Sequence, residues 1–236
     1  MSSIERPEEE ISPEAPQQTL RSLARGVKGL FRYLADLSYR LICSIPYFRF
    51  ARETQGSQNP RTLRMWFIQK VLGFNRGAYW PVHFTSSVNQ WQSILVGIDT
   101  SPGYAPGCYI QGIGQVYIGD YTLIGPNVGI ISANHDPYDQ TQHDASKAVR
   151  IGDYCWIGMG AIILPGVVLG DFTVVGAGAV VTQSFVEGYV VIGGNPGRII
   201  KRLDPDRCVR YRSPNEYRGY IPADSFEKWK RWRMRV

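Results

Sequence analysis

The chain has 236 residues, 44% hydrophobic and 19% charged, with 26 Lys and Arg against 20 Asp and Glu and a formal net charge of +6. This is the composition of an ordinary folded protein with one large or two small domains, and it calls for neither a disordered chain nor a membrane-embedded one. The charge is uneven: Glu5, Glu8, Glu9, Glu10 and Glu14 cluster at the start, and the chain is strongly basic from Arg198 onward.

Residues 1–16 are polar and acidic, with too few apolar groups to offset the entropy of ordering, and a mobile tail is expected there. Residues 17–80 read as a helical N-terminal segment. From about Leu20 to Ser44, Leu23, Val27, Leu30, Leu34, Leu37 and Leu41 recur three or four residues apart among basic residues, which predicts a helix with one apolar stripe. A second helix is predicted over Thr62–Leu72, ending near Gly73. These helices are expected to pack on the main domain or on a neighbouring subunit; peripheral contact with a membrane is the alternative. Arg32, Asp36, Arg40 and Pro46 interrupt the most apolar stretch, which therefore falls short of a spanning helix. Cys43, Cys108, Cys155 and Cys208 are widely spaced, form no CxxC pair and follow an acidic start rather than a secretory leader, so reduced thiols in a cytoplasmic protein are expected.

From Tyr117 the pattern changes to sixes: "IGDYTL", "IGPNVG", then "IGDYCW", "IGMGAI", "ILPGVV", "LGDFTV", "VGAGAV", "VTQSFV". Ile118, Ile124 and Ile130 are six apart, as are Ile151, Ile157, Ile163, Leu169, Val175 and Val181. Cys155, Ala161, Val167, Thr173 and Ala179 each follow an aliphatic by four. No helix has a period of six. A solenoid does, when each hexad is a short strand plus a corner, three corners close a coil, and coils stack at about 4.8 Å. The aliphatics then form internal ladders, and Gly, Asp and Asn are expected at corners because they tolerate positive φ.

The repeats, together with "NHD", "CWIG", "ILPGV", "VGAGAVVT" and "GGNPGRIIKRL" in that order, resemble the hexapeptide-repeat acyltransferases over roughly residues 81–202, and within them the sugar and polysaccharide O-acetyltransferase branch. The resemblance implies a mainly β fold, a left-handed parallel β-helix, with the N-terminal helices before it and a basic C-terminal extension (203–236) after it. It also implies a homotrimer with its sites between neighbouring subunits, acetyl-CoA as co-substrate, no required metal, and a sugar or glycan acceptor. No nucleic-acid partner is expected.

The count breaks between Ile130 and Ile151, which are 21 apart where 18 or 24 would keep the period, so a loop of about 15 residues is inserted at a corner within 131–150. It reads "SANHDPYDQTQHD" over 132–144. Acetyl transfer to an alcohol needs a base, and imidazole is the natural one near neutral pH. His135, at the rigid edge of the loop, is the candidate, and it falls where the family's catalytic histidine does; a turn-capping histidine is the alternative. Asn134 and Asp136 would orient it or bind sugar hydroxyls, unless "NHDPY" is turn chemistry alone. Tyr138 and His143 are candidates for substrate contact, with plain exposure of His143 equally open.

Direct transfer needs no acyl-enzyme, and Cys155 on the small-residue ladder is expected to be buried and inert. An oxyanion donor is expected among the backbone amides of Gly158 to Gly160. The resemblance implies that Trp156, Met159, Gly160, Ala177, Gly178 and Thr182 line the pantetheine channel. It places Asn195 and Pro196 near the adenine and Arg198 and Lys201 near the phosphates; an aromatic lid (Trp156) and a solvated terminal charge (Arg198) are the simpler readings. Gln183, Gly197 and Met159 depart from residues common in the family. Three other readings stand beside the sugar O-acetyltransferase: an antibiotic or amino-sugar N-acetyltransferase, a non-catalytic β-helical scaffold, and a zinc hydratase of the same fold, which would need His83, His135 and His143 as ligands.

Overall fold

The hexads are strands and corners of a coil in the computed structural model, which describes residues 14–144 and 147–236, with side chains from residue 25 onward. The chain passes in turn through three parallel sheets. The first joins Ser87–Asn89, Tyr109–Gln111, Gly129–Ile130, Ile162–Ile163 and Val180–Val181; the second joins Ile94–Val96, Val116–Ile118, Val149–Ile151 and Val168–Leu169; the third joins Leu123–Ile124, Trp156–Ile157, Val174–Val175 and Val190–Gly193. In the regular part, partners are 18 residues apart, as in Trp156↔Val174, Ile162↔Val180 and Arg150↔Val168, so three hexads make one turn. The earlier turns are longer. Ile94↔Val116 and Ser87↔Tyr109 are 22 apart, which is why no sixes are visible there although the coil already exists. Across the inserted loop the spacing is 33, as in Gly129↔Ile162 and Val116↔Val149, an excess of 15 over the regular turn.

The aliphatic ladder lies inside. Ile151, Ile157, Ile163, Leu169, Val175 and Val181 are buried, and so are Cys155, Ala161, Val167, Thr173 and Ala179 four residues after five of them. Each large aliphatic so removed from water contributes about 1.5–3 kcal/mol. The corners bear out one expectation in part. The glycine that follows Ile118, Ile151, Ile157 and Leu169 is required by crowding, not by φ: a Cβ on Gly158 would lie 2.7 Å from the Val175 carbonyl oxygen and 2.8 Å from the Ala177 nitrogen of the next coil. Positive φ falls two residues later, on Asn127, Gly160 and Gly178 at one corner, as expected, but on Tyr121, Tyr154 and Phe172 at another, where φ is 54–57°. Such a conformation costs an aromatic residue about 1–3 kcal/mol. It is offset by stacking, since Tyr121, Tyr154, Phe172 and Tyr189 form a continuous pile with ring centroids 5.0–5.2 Å apart.

Two units are distinguished, Met1–Phe48 and Arg49–Val236. The first contains α1 (Glu14–Ser44), which begins six residues before the apolar periodicity does; residues 1–13 of the expected acidic tail lie outside the described residues, and Glu14–Pro16 are helical. In the second, α2 (Phe50–Glu53) precedes α3 (Leu63–Trp66), which continues through a π-helical turn over Phe67–Val71. Thr62 caps α3 by accepting from the Met65 nitrogen at 3.1 Å. The basic C-terminal segment is exposed over much of its length but folded at its end. Tyr217–Arg218 and Ile221–Pro222 form a hairpin, and α4 (Ala223–Arg233) sets buried Phe226 into the core beside Tyr79. Arg61, fully buried, ties this end to the coil: its Nη1 bonds Asp99 Oδ1 at 2.8 Å, its Nη2 donates to the Tyr217 carbonyl at 3.1 Å, and its Nε donates to the Gly219 carbonyl.

Candidate functional site

The inserted loop is a β-hairpin standing on a corner of the coil. Asn134–His135 pairs antiparallel with His143–Asp144, His135 lying directly opposite His143. The turn between them is built by carboxylates: Asp136 Oδ1 accepts from the Tyr138 and Asp139 nitrogens at 2.7 and 3.1 Å, and Asp139 Oδ1 accepts from the Thr141 nitrogen and hydroxyl at 3.0 and 2.6 Å. Those two bonds from Thr141 hold the Asp139 carboxyl below its ordinary value. The root is locked to the coil. Gln111 Oε1 accepts from the Ser132 and Ala133 nitrogens at 3.1 and 2.8 Å, and the buried Ser132 hydroxyl donates to the Gln111 carbonyl and accepts from the Gly114 nitrogen at 3.0 Å.

His135 is exposed, and its Nδ1 lies 2.7 Å from the Gln140 carbonyl oxygen. A carbonyl only accepts, so Nδ1 carries the proton and, in the neutral ring, Nε2 keeps its lone pair. The ring packs against His143 with centroids 4.3 Å apart. The group that orients the imidazole is the Gln140 backbone carbonyl, while Asp136 uses its Oδ1 in the turn, the alternative reading of "NHDPY". His143 is exposed and is the strand partner of His135. Tyr138 sits at the tip, 98% exposed.

The residues expected along the coenzyme channel occupy a different edge. Met159 and Gly160 stand on one coil and Ala177 and Gly178 on the next, at the corner between the third and first sheets; Gly178 donates to the Met159 carbonyl at 2.8 Å. Trp156 and Met159 are each 56% exposed on this edge. The amides of Gly158 and Gly160 donate to the Val175 and Pro126 carbonyls at 2.7 and 2.9 Å, so neither serves as the expected oxyanion donor. Asn195 and Pro196, exposed, form the bend after Val190–Gly193. Arg198–Arg202 returns antiparallel along that strand, carrying Arg198 and Lys201 outward. Thr182 lies on the hairpin's side instead, because the register stacks Ile131, Leu164 and Thr182 just past the ends of the first-sheet strands. The two edges are separated by one strand, on the order of 10 Å, whose outward face presents Gly129, Ile162 and Val180.

Cys155 is buried with its sulfur 3.3 Å from the Gly170 carbonyl oxygen, and burial pushes its thiol up to about 12. It is no nucleophile near neutral pH. His83 lines a separate, largely apolar cavity of about 450 Å³ with Met65, Ile68, Val82, Phe84 and Tyr104. Among the described residues, no group of three or more His, Cys, Asp or Glu side chains is placed to hold a metal ion, and no helix is long and apolar enough to cross a membrane.

Sequence reasoning missed Gln111, Ser132 and Gln140. Ser132 and Gln111 are ordinary polar residues in the chain, and a backbone carbonyl leaves no signal at all.

Residues 148–183 match the family described as bacterial transferase hexapeptide (six repeats). A Dictyostelium discoideum protein bearing an acetyltransferase name is 48% identical over 101 residues, 41% of this chain and 52% of that protein. Nodulation protein L of Rhizobium meliloti (strain 1021) is 51% identical over 96 residues, 39% of this chain and 51% of that protein. The chain thus spans about half the length of these relatives. The crystal structure of a maltose O-acetyltransferase from Clostridium difficile 630 superposes with a TM-score of 0.51 at 28% identity, covering 71% of this chain and 88% of that one. By its repeats, its stacked coils and these likenesses, the chain carries a bacterial transferase hexapeptide repeat over residues 148–183 and is similar in fold to a maltose O-acetyltransferase.

Proposed function

We propose that the chain is an acetyltransferase that moves an acetyl group from acetyl-CoA to a hydroxyl of a sugar, in the making of a surface polysaccharide, with His135 as general base. The observation that carries the reading is the hydrogen bond from His135 Nδ1 to the Gln140 carbonyl at 2.7 Å, which leaves Nε2 as the accepting nitrogen on an exposed, rigidly rooted hairpin. Likeness to a maltose O-acetyltransferase supports a sugar hydroxyl as acceptor.

In this reading Nε2 takes the hydroxyl proton as the sugar oxygen attacks the thioester carbonyl. The tetrahedral oxyanion collapses, the C–S bond breaks, and the proton passes from the imidazolium to the departing thiolate. No acyl-enzyme forms, in keeping with the buried Cys155. No hydrogen bond from the Met159 and Ala177 amides is found among the described residues, and these two backbone donors are suited to the carbonyl oxygens of a pantetheine arm laid along the Gly corners. Arg198 and Lys201 would meet the nucleotide phosphates, and Asn195 and Pro196 its base. The hairpin and the Gly edge lie on opposite sides of a strand. A left-handed coil assembled as a homotrimer would let one subunit's hairpin face its neighbour's Gly edge, with Tyr138 and His143 toward the acceptor.

An acceptor screen with acetyl-CoA, reading free thiol, tests the reaction. A sugar-dependent thiol release is expected, with the acetyl group recovered on an oxygen of the product. Thiol release only with amine acceptors would replace the reading by N-acetylation, and no release with any acceptor together with no thermal shift on adding coenzyme A would replace it by a scaffold.

A further inference from the structure

We infer that α1 is a surface-binding helix for an anionic lipid bilayer. On a helix, residues advance about 100° each. Val27, Leu30, Phe31, Leu34, Leu37, Leu41 and Ile42 therefore share one face about 140° wide, and all of them are exposed, Phe31 at 69% and Leu41 at 62%. Arg25, Lys28 and Arg32 run together along one edge of that face, and Tyr33 lies toward the other edge, 65% exposed. The helix is an uncovered apolar face bordered by cations.

Two observations choose the occupant. A stripe this broad exceeds the narrow seam that two packed helices share. A second copy of the helix would also have to answer the cationic edge with acids, and residues 25–44 hold a single one, Asp36, which is already paired with Arg40 at 2.8 Å. Anionic headgroups are the complement of the cations Lys28 and Arg32 along that edge. Because no helix among the described residues is long and apolar enough to cross a membrane, the contact lies in the plane of the interface, with the apolar face among the acyl chains and Arg25, Lys28 and Arg32 at the headgroups.

Sedimentation of the full chain with vesicles tests this, using phosphatidylcholine alone and phosphatidylcholine mixed with phosphatidylglycerol. The wild type is expected to bind the mixed vesicles at least about tenfold more tightly than the neutral ones, and to lose that preference at high salt. Leu34→Glu with Leu41→Glu should abolish binding to both. Arg25→Glu, Lys28→Glu and Arg32→Glu together should remove the preference while the protein keeps its oligomeric state. Absence of wild-type binding to the mixed vesicles would overturn the inference, as would unchanged binding by the Leu34/Leu41 variant. Dissociation of the lipid-free oligomer by Leu34→Glu and Leu41→Glu would overturn it too, assigning the face to a second copy of the chain.

Discussion

Replacing Arg61 by Ala tests the argument that the C-terminal segment is built into the coil. The guanidinium is fully buried and meets three partners: the Asp99 carboxylate at 2.8 Å, the Tyr217 carbonyl at 3.1 Å, and the Gly219 carbonyl. Burial pulls its pKa below the ordinary arginine value, and Asp99 works against that shift. Truncation leaves the buried Asp99 carboxylate with the Ser213 hydroxyl alone and no cation, and takes the Arg61 donors from the Tyr217 carbonyl, which keeps the Asp99 amide, and from the Gly219 carbonyl. Breaking a buried pair in this way costs about 3–5 kcal/mol, and for a chain of this size each kcal/mol lowers Tm by about 2–4 °C. A fall of roughly 6–20 °C is therefore expected in calorimetry, with a matching drop in the urea midpoint. The paired change Arg61→Met with Asp99→Asn should recover part of the loss, because it removes the stranded charge. A fall of less than about 2 °C in the single variant would refute the reasoning, since it would mean that the residues around Asp99 and Gly219 do not depend on Arg61.

Two further outcomes follow from buried groups. Burial lowers Lys70 to about 8; between that value and 10.5 the unfolded chain binds the extra proton, so the Lys70 contribution to stability rises with pH across this window. Lys70→Met should remove that rise, measured as the difference between the urea-unfolding pH profiles of variant and wild type, which cancels the opposing titration of buried Cys155. Cys155→Ala should leave thioester turnover within about threefold of wild type, because the thiol is enclosed and protonated; a loss of a hundredfold or more would reinstate a covalent intermediate.

Much of the coil was legible because a six-residue period admits so few structures. The ladder from Ile151 to Val181 and its small-residue companion from Cys155 to Ala179 are buried as the spacing implies. The first turns were hidden by four extra residues per coil, which erase the period without altering the pairing of Ile94 with Val116. Positive φ at Gly and Asn corners holds at Gly160, Gly166, Gly178 and Asn127, but not at the glycines that follow the aliphatics, which face the next coil's backbone, nor at the corner of Tyr121, Tyr154 and Phe172, where ring stacking offsets the strain. The docking of Phe226 beside Tyr79 joins residues 147 positions apart, a contact that no local pattern encodes. At the candidate site the excess of 15 residues and the position of His135 were readable from the count. The pairing of His135 with His143 was not, because it depends on a hairpin register that the turn carboxylates Asp136 and Asp139 set, and neither was the Gln140 carbonyl that fixes the tautomer.

The central claim concerns one nitrogen, Nε2 of His135, and comparing His135→Ala with His143→Ala in a single assay of sugar-dependent thiol release addresses it most directly. The account predicts that His135→Ala lowers kcat by about 10²–10⁴-fold with an unchanged oligomer on light scattering, while His143→Ala acts mainly on the acceptor KM. Full turnover by His135→Ala, or a loss confined to His143→Ala, would contradict it.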